Sequence, residues 1–233
     1  MQVVHHSGIA EFQDVIEIDP VVLDSWMSLR RECEPSDYTI DEDGNYVNRG
    51  GYTFTAEQIG ISPTRFLNLT PDGEDLSFYN EIRDTVYKCL VNYIELHPAV
   101  WRSVWWRADG QVACYENGQG MGSHSDREIE YTPGETPASE APIYNEITAA
   151  LILNKADEGG KYEFATSKTS LDPLAGTVLF YPSNYVGAHA ITPVTKGERI
   201  SYLEFFGQGT PNGGQGSGQE WFSELVNPYD PAP

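Results

Sequence analysis

Apolar residues recur along this chain with two different periods, and the period changes near residue 100. Between residues 75 and 95, Phe78, Ile82, Val86, Leu90 and Tyr93 fall at the three-and-four spacing of one helical face. His97-Pro98 closes that helix, because a residue before proline is pushed out of the helical region. An earlier helix is predicted over Pro20–Cys33, with Val22, Trp26 and Leu29 on one face. Asp19 can cap its free amides and Pro20 fits its first turn. Residues 1–18, with Ile9, Phe12, Val15, Ile16 and Ile18, read as a strand. Residues 34–74 are rich in Asp, Gly, Asn and Pro and read as long loops. From Trp101 onward the pattern shortens to apolar-polar runs at 101–108, 111–117, 121–126, 147–154, 160–165, 175–181, 187–193 and 199–206. Short strands with turn residues between them predict a jelly roll or related barrel. The stretch 207–219 has the composition of a flexible linker, and Trp221, Phe222 and Leu225 after it read as one docked helical turn.

The expected class is therefore mainly β with flanking helices, around a double-stranded β-helix core of the cupin-like jelly-roll kind. A single domain over 1–233 is expected, with helix-and-loop support in 1–100, the jelly-roll core in 101–206 and a Gly-rich tail in 207–233. A formal net charge of −21 argues against a general grip on phosphates, so nucleic acid is not expected as a partner. Cys33, Cys89 and Cys114 are odd in number and lack metal-ligand spacing, so they read as free thiols in a reducing, cytoplasmic setting. No basic-then-apolar leader opens the sequence, and no apolar run is long enough to span a bilayer, so no membrane partner is expected.

The chemistry concentrates in His124, Asp126 and His189, followed by Arg199. Two imidazoles and a carboxylate can hold ferrous iron on one face and leave positions open for reactants. The His-X-Asp pair alone is weak, being expected roughly 0.3 times by chance in this composition. Its context adds weight. Strand side chains alternate, so His124 and Asp126 share a face, as do Arg199 and Ser201, and as do Ala113 and Tyr115. An interior carrying so many polar groups needs partners for them. A metal would satisfy the first three, and a bound dicarboxylate would satisfy Arg199, Ser201 and Tyr115.

These residues carry a family resemblance over about 110–206. The run from Cys114-Tyr115 through Asn117-Gly118-Gln119-Gly120 to His124-Ser125-Asp126 is followed by Glu158-Gly159-Gly160-Lys161-Tyr162-Glu163-Phe164. Gly176-Thr177-Val178-Leu179-Phe180 precedes His189, and Pro193-Val194-Thr195-Lys196-Gly197-Glu198-Arg199 follows it. Together they resemble the iron(II)- and 2-oxoglutarate-dependent dioxygenases, most of all the prolyl 4-hydroxylase-like branch. The resemblance implies His124, Asp126 and His189 as iron ligands. Arg199 would be the catalytic-site cation for the distal carboxylate of 2-oxoglutarate, assisted by Ser201 and Tyr115. It also implies O2 as the second co-substrate, ascorbate as a candidate reductant, and release of succinate and CO2 as a C–H bond is hydroxylated. A peptide or protein substrate, with proline as the target, follows from the branch, and a free amino acid or other small molecule is the alternative.

Three departures bear on the substrate. Arg199 stands where the branch's animal and plant enzymes usually have Lys, Met121 where it often has Tyr, and Glu163 in place of a familiar Thr. Residues 127–146, rich in Pro and Glu, read as a lid or as an ordinary surface loop. A non-catalytic, metal-stabilised jelly-roll binding module is the competing class. Arg199 with Ser201 separates the two, since a structural metal has no use for a carboxylate receptor.

Overall fold

The computed structural model describes residues 1–32, 38–48, 53–54, 64–66, 73–104, 106–107, 110–127, 144–208 and 220–221. The N-terminal region supplies β1 (Gln2–Val4), β2 (Ala10–Phe12) and helix α1 (Pro20–Glu32). It continues with β3 (Tyr38–Ile40), β4 (Tyr46–Asn48), β5 (Thr53–Phe54), β6 (Thr64–Phe66) and helix α2 (Gly73–Leu96). The remaining strands are β7 (Trp106–Arg107), β8 (Gln111–Tyr115), β9 (Met121–His124), β10 (Tyr144–Asn154) and β11 (Tyr162–Phe164). They are followed by β12 (Thr169–Leu171), β13 (Val178–Pro182), β14 (His189–Ile191), β15 (Arg199–Gln208) and β16 (Glu220–Trp221).

Both predicted helices are present. The Asp19 carboxylate accepts from the Val21 amide at 2.8 Å, the capping expected of that residue. Trp26 of α1 and Phe78, Ile82, Val86, Leu90 and Tyr93 of α2 are buried, so the periodic face is the packed face. Three expectations need correction. Residues 34–74 hold four short strands rather than loops alone, because Tyr, Thr, Val, Ile and Phe supply β-forming pairs between the turn residues. Residues 101–108 open with the end of a 3-10 turn (Pro98–Ser103), and only Trp106–Arg107 is strand. Trp221 lies in β16, paired with β7, rather than in a helical turn. Near the N-terminus, His5 bonds Glu11 at 2.6 Å. Cys33, Phe222, Leu225 and most of the 127–146 segment lie outside the described residues.

Two antiparallel sheets build the core. The larger runs β1-β2-β13-β10-β15-β7-β16, with β8 also on β15 and β6 on β8; the smaller runs β12-β11-β14-β9. Strand alternation gives the larger sheet two apolar faces. Val178, Phe180, Ala149, Leu151, Ile200, Tyr202, Phe206 and Cys114 pack with α1 and α2. The intervening residues Leu179, Tyr181, Ala150, Ile152, Ala113 and Tyr115 face the smaller sheet's Tyr162, Phe164 and Ile191. On the helix side one charged group is deeply buried. Glu204 receives a bidentate contact from Arg107 and lies 3.6 Å from Arg83 of α2. That triad ties the helix to β15 and β7.

Candidate active site

Both histidines come from the smaller sheet, where His189 of β14 stands directly opposite His124 of β9. Their ring centroids are 4.5 Å apart. Each ring is oriented by the same local device. His124 Nδ1 lies 2.9 Å from the carbonyl oxygen of Gly122, and His189 Nδ1 lies 3.1 Å from that of Gly187. A carbonyl only accepts, so Nδ1 carries a proton in each ring, and Nε2 has a lone pair for a cation whenever the imidazole is neutral. The repeated Gly-X-His sequence (Gly122-Ser123-His124 and Gly187-Ala188-His189) thus fixes the tautomer twice. Asp126 sits just beyond β9, with Oδ1 3.2 Å from His124 Nε2. The candidate ligand atoms of His124, Asp126 and His189 all lie within 4.8 Å of one another.

Hydrogen bonds hold the acidic arm. Thr148 donates to Asp126 Oδ2 at 2.7 Å and lies 2.9 Å from the Ser183 hydroxyl. Asn145 donates to the Asp126 carbonyl at 3.0 Å, and Ser125 to that of Ser183 at 2.7 Å. Burial alone would raise the Asp126 pKa. The His124 hydrogen bond, the charges of His189 and His124, and the Thr148 hydroxyl outweigh it and hold the group at about 2. Burial pushes the His189 imidazolium down to about 4, against the opposing pull of Asp126. At neutral pH the carboxylate is charged and His189 is neutral. Those are the forms that bind a cation.

Arg199 opens β15 in the larger sheet, paired across to Tyr115 of β8, with Ser201 opposite Ala113. It lines one pocket together with His124, Asp126, His189, Tyr115 and Ser201. The arginine is 4% exposed, and among the described residues no carboxylate pairs with it. Its guanidinium carbon lies 5.1 Å from the Tyr115 ring centroid and 4.6 Å from that of Tyr162, within cation–π range. Arg199 Nη2 and Ser201 Oγ are buried with no hydrogen-bond partner among the described residues. Two orphaned donors at the end of a pocket are what a bound carboxylate would satisfy, so the residues fit a dicarboxylate as well as they fit a divalent metal.

The paired glycines Gly159 and Gly160 are spatial necessities here. Gly159 and Gly160 have φ of +81° and +69°, a region open to glycine and costly for other residues. A methyl group at Gly159 would stand 2.0 Å from the Pro193 carbonyl oxygen, and one at Gly160 would stand 3.0 Å from Arg199 Cδ. This turn therefore sets how closely the last strand's arginine approaches β11. Gln119 contributes by accepting the Val194 amide on its main-chain carbonyl at 2.9 Å.

The structure thus brings together every sequence-derived site residue: His124, Asp126, His189, Arg199, Ser201 and Tyr115. The Tyr115 hydroxyl lies 4.0 Å from Met121 Sδ, and Tyr162 is a second phenol beside the Arg199 guanidinium. The emphasis on Glu163 was misplaced. Glu163 points outward and accepts from Ser170 at 2.7 Å, while its neighbour Tyr162 faces the pocket. Tyr162, Tyr181 and Thr148 were the residues overlooked; only the inward parity of their strands could have signalled them.

Comparison with known proteins agrees with this arrangement. Residues 110–207 match the 2OG-Fe(II) oxygenase superfamily model. A PKHD-type hydroxylase of Shewanella sp. (strain ANA-3) is 33% identical over 91 residues, and the chain spans 37% of that relative's length. Among solved structures, the viral collagen prolyl hydroxylase of Paramecium Bursaria Chlorella virus-1 superposes with a TM-score of 0.55 at 16% identity, covering 88% of this chain and 98% of that one. A prolyl hydroxylase of Trichoplax adhaerens, in complex with a hypoxia inducible factor oxygen degradation domain peptide fragment, gives 0.55 at 14% identity over 87% and 84%. The sheet order, the His-Asp-His cluster and the matched segment point the same way: residues 110–207 are similar to the 2OG-Fe(II) oxygenase superfamily, on the jelly-roll fold that the prolyl hydroxylases share.

Proposed function

We propose that the chain is an Fe(II)- and 2-oxoglutarate-dependent dioxygenase that hydroxylates an unactivated C–H bond, with a peptidyl proline as the leading substrate. His124, His189 and Asp126 would hold the iron, each offering one ligand atom. When bound, the iron, 2-oxoglutarate and O2 supply oxidative decarboxylation, in which one oxygen atom enters succinate and the other enters the C–H bond. The protein's residues do the rest. Arg199, Ser201 and Tyr115 take the distal carboxylate and so orient the co-substrate. The observation that carries this reading is the pair of orphaned donors, Arg199 Nη2 and Ser201 Oγ, in the pocket that also holds the His-Asp-His cluster. The prolyl target is supported by the neighbouring folds and by the peptide bound to one of them.

Anaerobic addition of Fe(II) and then 2-oxoglutarate should produce a visible charge-transfer band that needs both. Exposure to O2 with a peptide library should then give succinate matched by a one-oxygen mass gain. Tight zinc retention with no band sinks the dioxygenase reading. Succinate with no modified peptide moves the substrate to a free amino acid or other small molecule.

Thr148 is the positioning residue of this scheme, since its hydroxyl occupies Asp126 Oδ2 and leaves Oδ1 for the metal. Loss of such an outer partner costs about 10- to 100-fold in metal affinity. Thr148→Val should weaken Fe(II) binding by that amount in competition with a chelating dye, and Thr148→Ser should restore it. Equal affinity in all three proteins would remove Thr148 from the scheme.

A further inference from the structure

Ser183 follows directly on β13 and is buried. It stands far from Asp126 along the chain, yet its polar atoms converge on that residue. Its carbonyl oxygen accepts from the Ser125 hydroxyl at 2.7 Å and from the Arg127 amide at 2.9 Å, the two residues that flank Asp126. Its amide donates to the Glu146 carbonyl at 2.9 Å. Four positions on, Gly187 presents the carbonyl that orients His189. One turn between β13 and β14 therefore reaches both the acidic and an imidazole arm of the metal-type cluster.

The side chain of Ser183 adds a directed contact. Its hydroxyl lies 2.9 Å from that of Thr148, and Thr148 donates to Asp126 Oδ2 at 2.7 Å. A threonine hydroxyl has one proton and two lone pairs. With that proton committed to the carboxylate, Thr148 can only accept from Ser183, so the serine is the donor. The result is a one-way chain from Ser183 through Thr148 to Asp126. A hydroxyl that accepts a hydrogen bond becomes a better donor in the next one. Both hydroxyls are buried, where an unmet polar group is costly, so the chain holds the threonine hydroxyl in one orientation.

We propose that Ser183 is a further positioning residue of the metal site, whose hydroxyl holds Thr148 on Asp126 Oδ2 and so keeps the other carboxylate oxygen aimed at the cation. This rests on the reading of His124, Asp126 and His189 as metal ligands. Ser183→Ala removes the hydroxyl and keeps the amide and carbonyl that anchor residues 125, 127 and 146. The test is Fe(II) affinity, by competition with a chelating dye, in the wild type, Ser183→Ala, Thr148→Val and the double variant. Ser183→Ala alone should weaken binding about fivefold, the scale of one neutral hydrogen bond. In the Thr148→Val background it should cost nothing further, because residues in one network are not additive. An equal loss in both backgrounds would mean that the serine acts through general packing, and unchanged affinity in Ser183→Ala would mean that it does not act on the metal; either overturns the proposal. A wild-type protein that binds Fe(II) but forms no charge-transfer band with 2-oxoglutarate overturns the dioxygenase reading and leaves this one standing. One that binds no Fe(II) overturns both.

Discussion

Arg199→Ala should weaken 2-oxoglutarate binding about 100-fold or more, on the scale of removing one partner from a buried, hydrogen-bonded charge pair. Fe(II) binding should persist, because the metal cluster sits on the smaller sheet and its loop while Arg199 sits on the larger one. The cost should not appear in the ligand-free protein's stability. There the guanidinium is buried with no carboxylate among the described residues to offset its desolvation, and its ring contacts are the main compensation. Removing an uncompensated buried charge is a different operation from breaking a pair. What should vanish is the rise in thermal midpoint on adding 2-oxoglutarate to metal-loaded protein, since a ligand stabilises only by binding the folded state. Arg199→Lys should recover part of the affinity, because it keeps the charge and loses the fork. An undiminished thermal shift in Arg199→Ala would refute the assigned role.

Glu204→Gln should produce the opposite profile, a large loss of stability with little change in ligand binding. Glu204 is fully buried and faces Arg107 and Arg83. Neutralising it leaves two cations near the helix-packed face of the sheet without their counter-charge. Breaking a buried pair in this way costs about 3–5 kcal/mol. The measurement is urea unfolding, with a lowered midpoint and an unchanged slope. Fe(II) and 2-oxoglutarate affinities measured well below the transition should match the wild type, since Glu204 lies on the face of β15 opposite the pocket. A shift below 1 kcal/mol would show that the triad contributes little.

These two residues also mark what could be read in the sequence. Arg199 was legible because it is a charged residue at fixed spacing from a metal-type histidine, and the strands around it announce themselves by alternation. The site's metal arm was legible for the same reason. Glu204 was not, because its partners Arg107 and Arg83 are 97 and 121 positions away, and only sheet pairing and helix packing bring them close. Tyr162 and Tyr181 look like ordinary core aromatics along the chain. Their hydroxyls acquire meaning only when β11 and β13 bring them to Arg199 and to Asp126 and His189. Thr148 was hidden in an apolar strand for the same reason. The small sheet of β3, β4 and β5 was obscured by the turn residues between its two- and three-residue strands, which dominate any window used to read them.

The alternation along β15 has a consequence for how such a protein can change. Residues 199, 201, 203 and 205 meet the ligand side, while 200, 202, 204 and 206 are committed to the scaffold. Substitutions on the first set can retune which acid or substrate is accepted without disturbing what keeps the molecule folded. A single-residue deletion at the start of the strand would exchange the two sets outright, placing Ile200 and Tyr202 where Arg199 and Ser201 belong. Diversification of this strand is therefore open to point replacement and closed to changes of length.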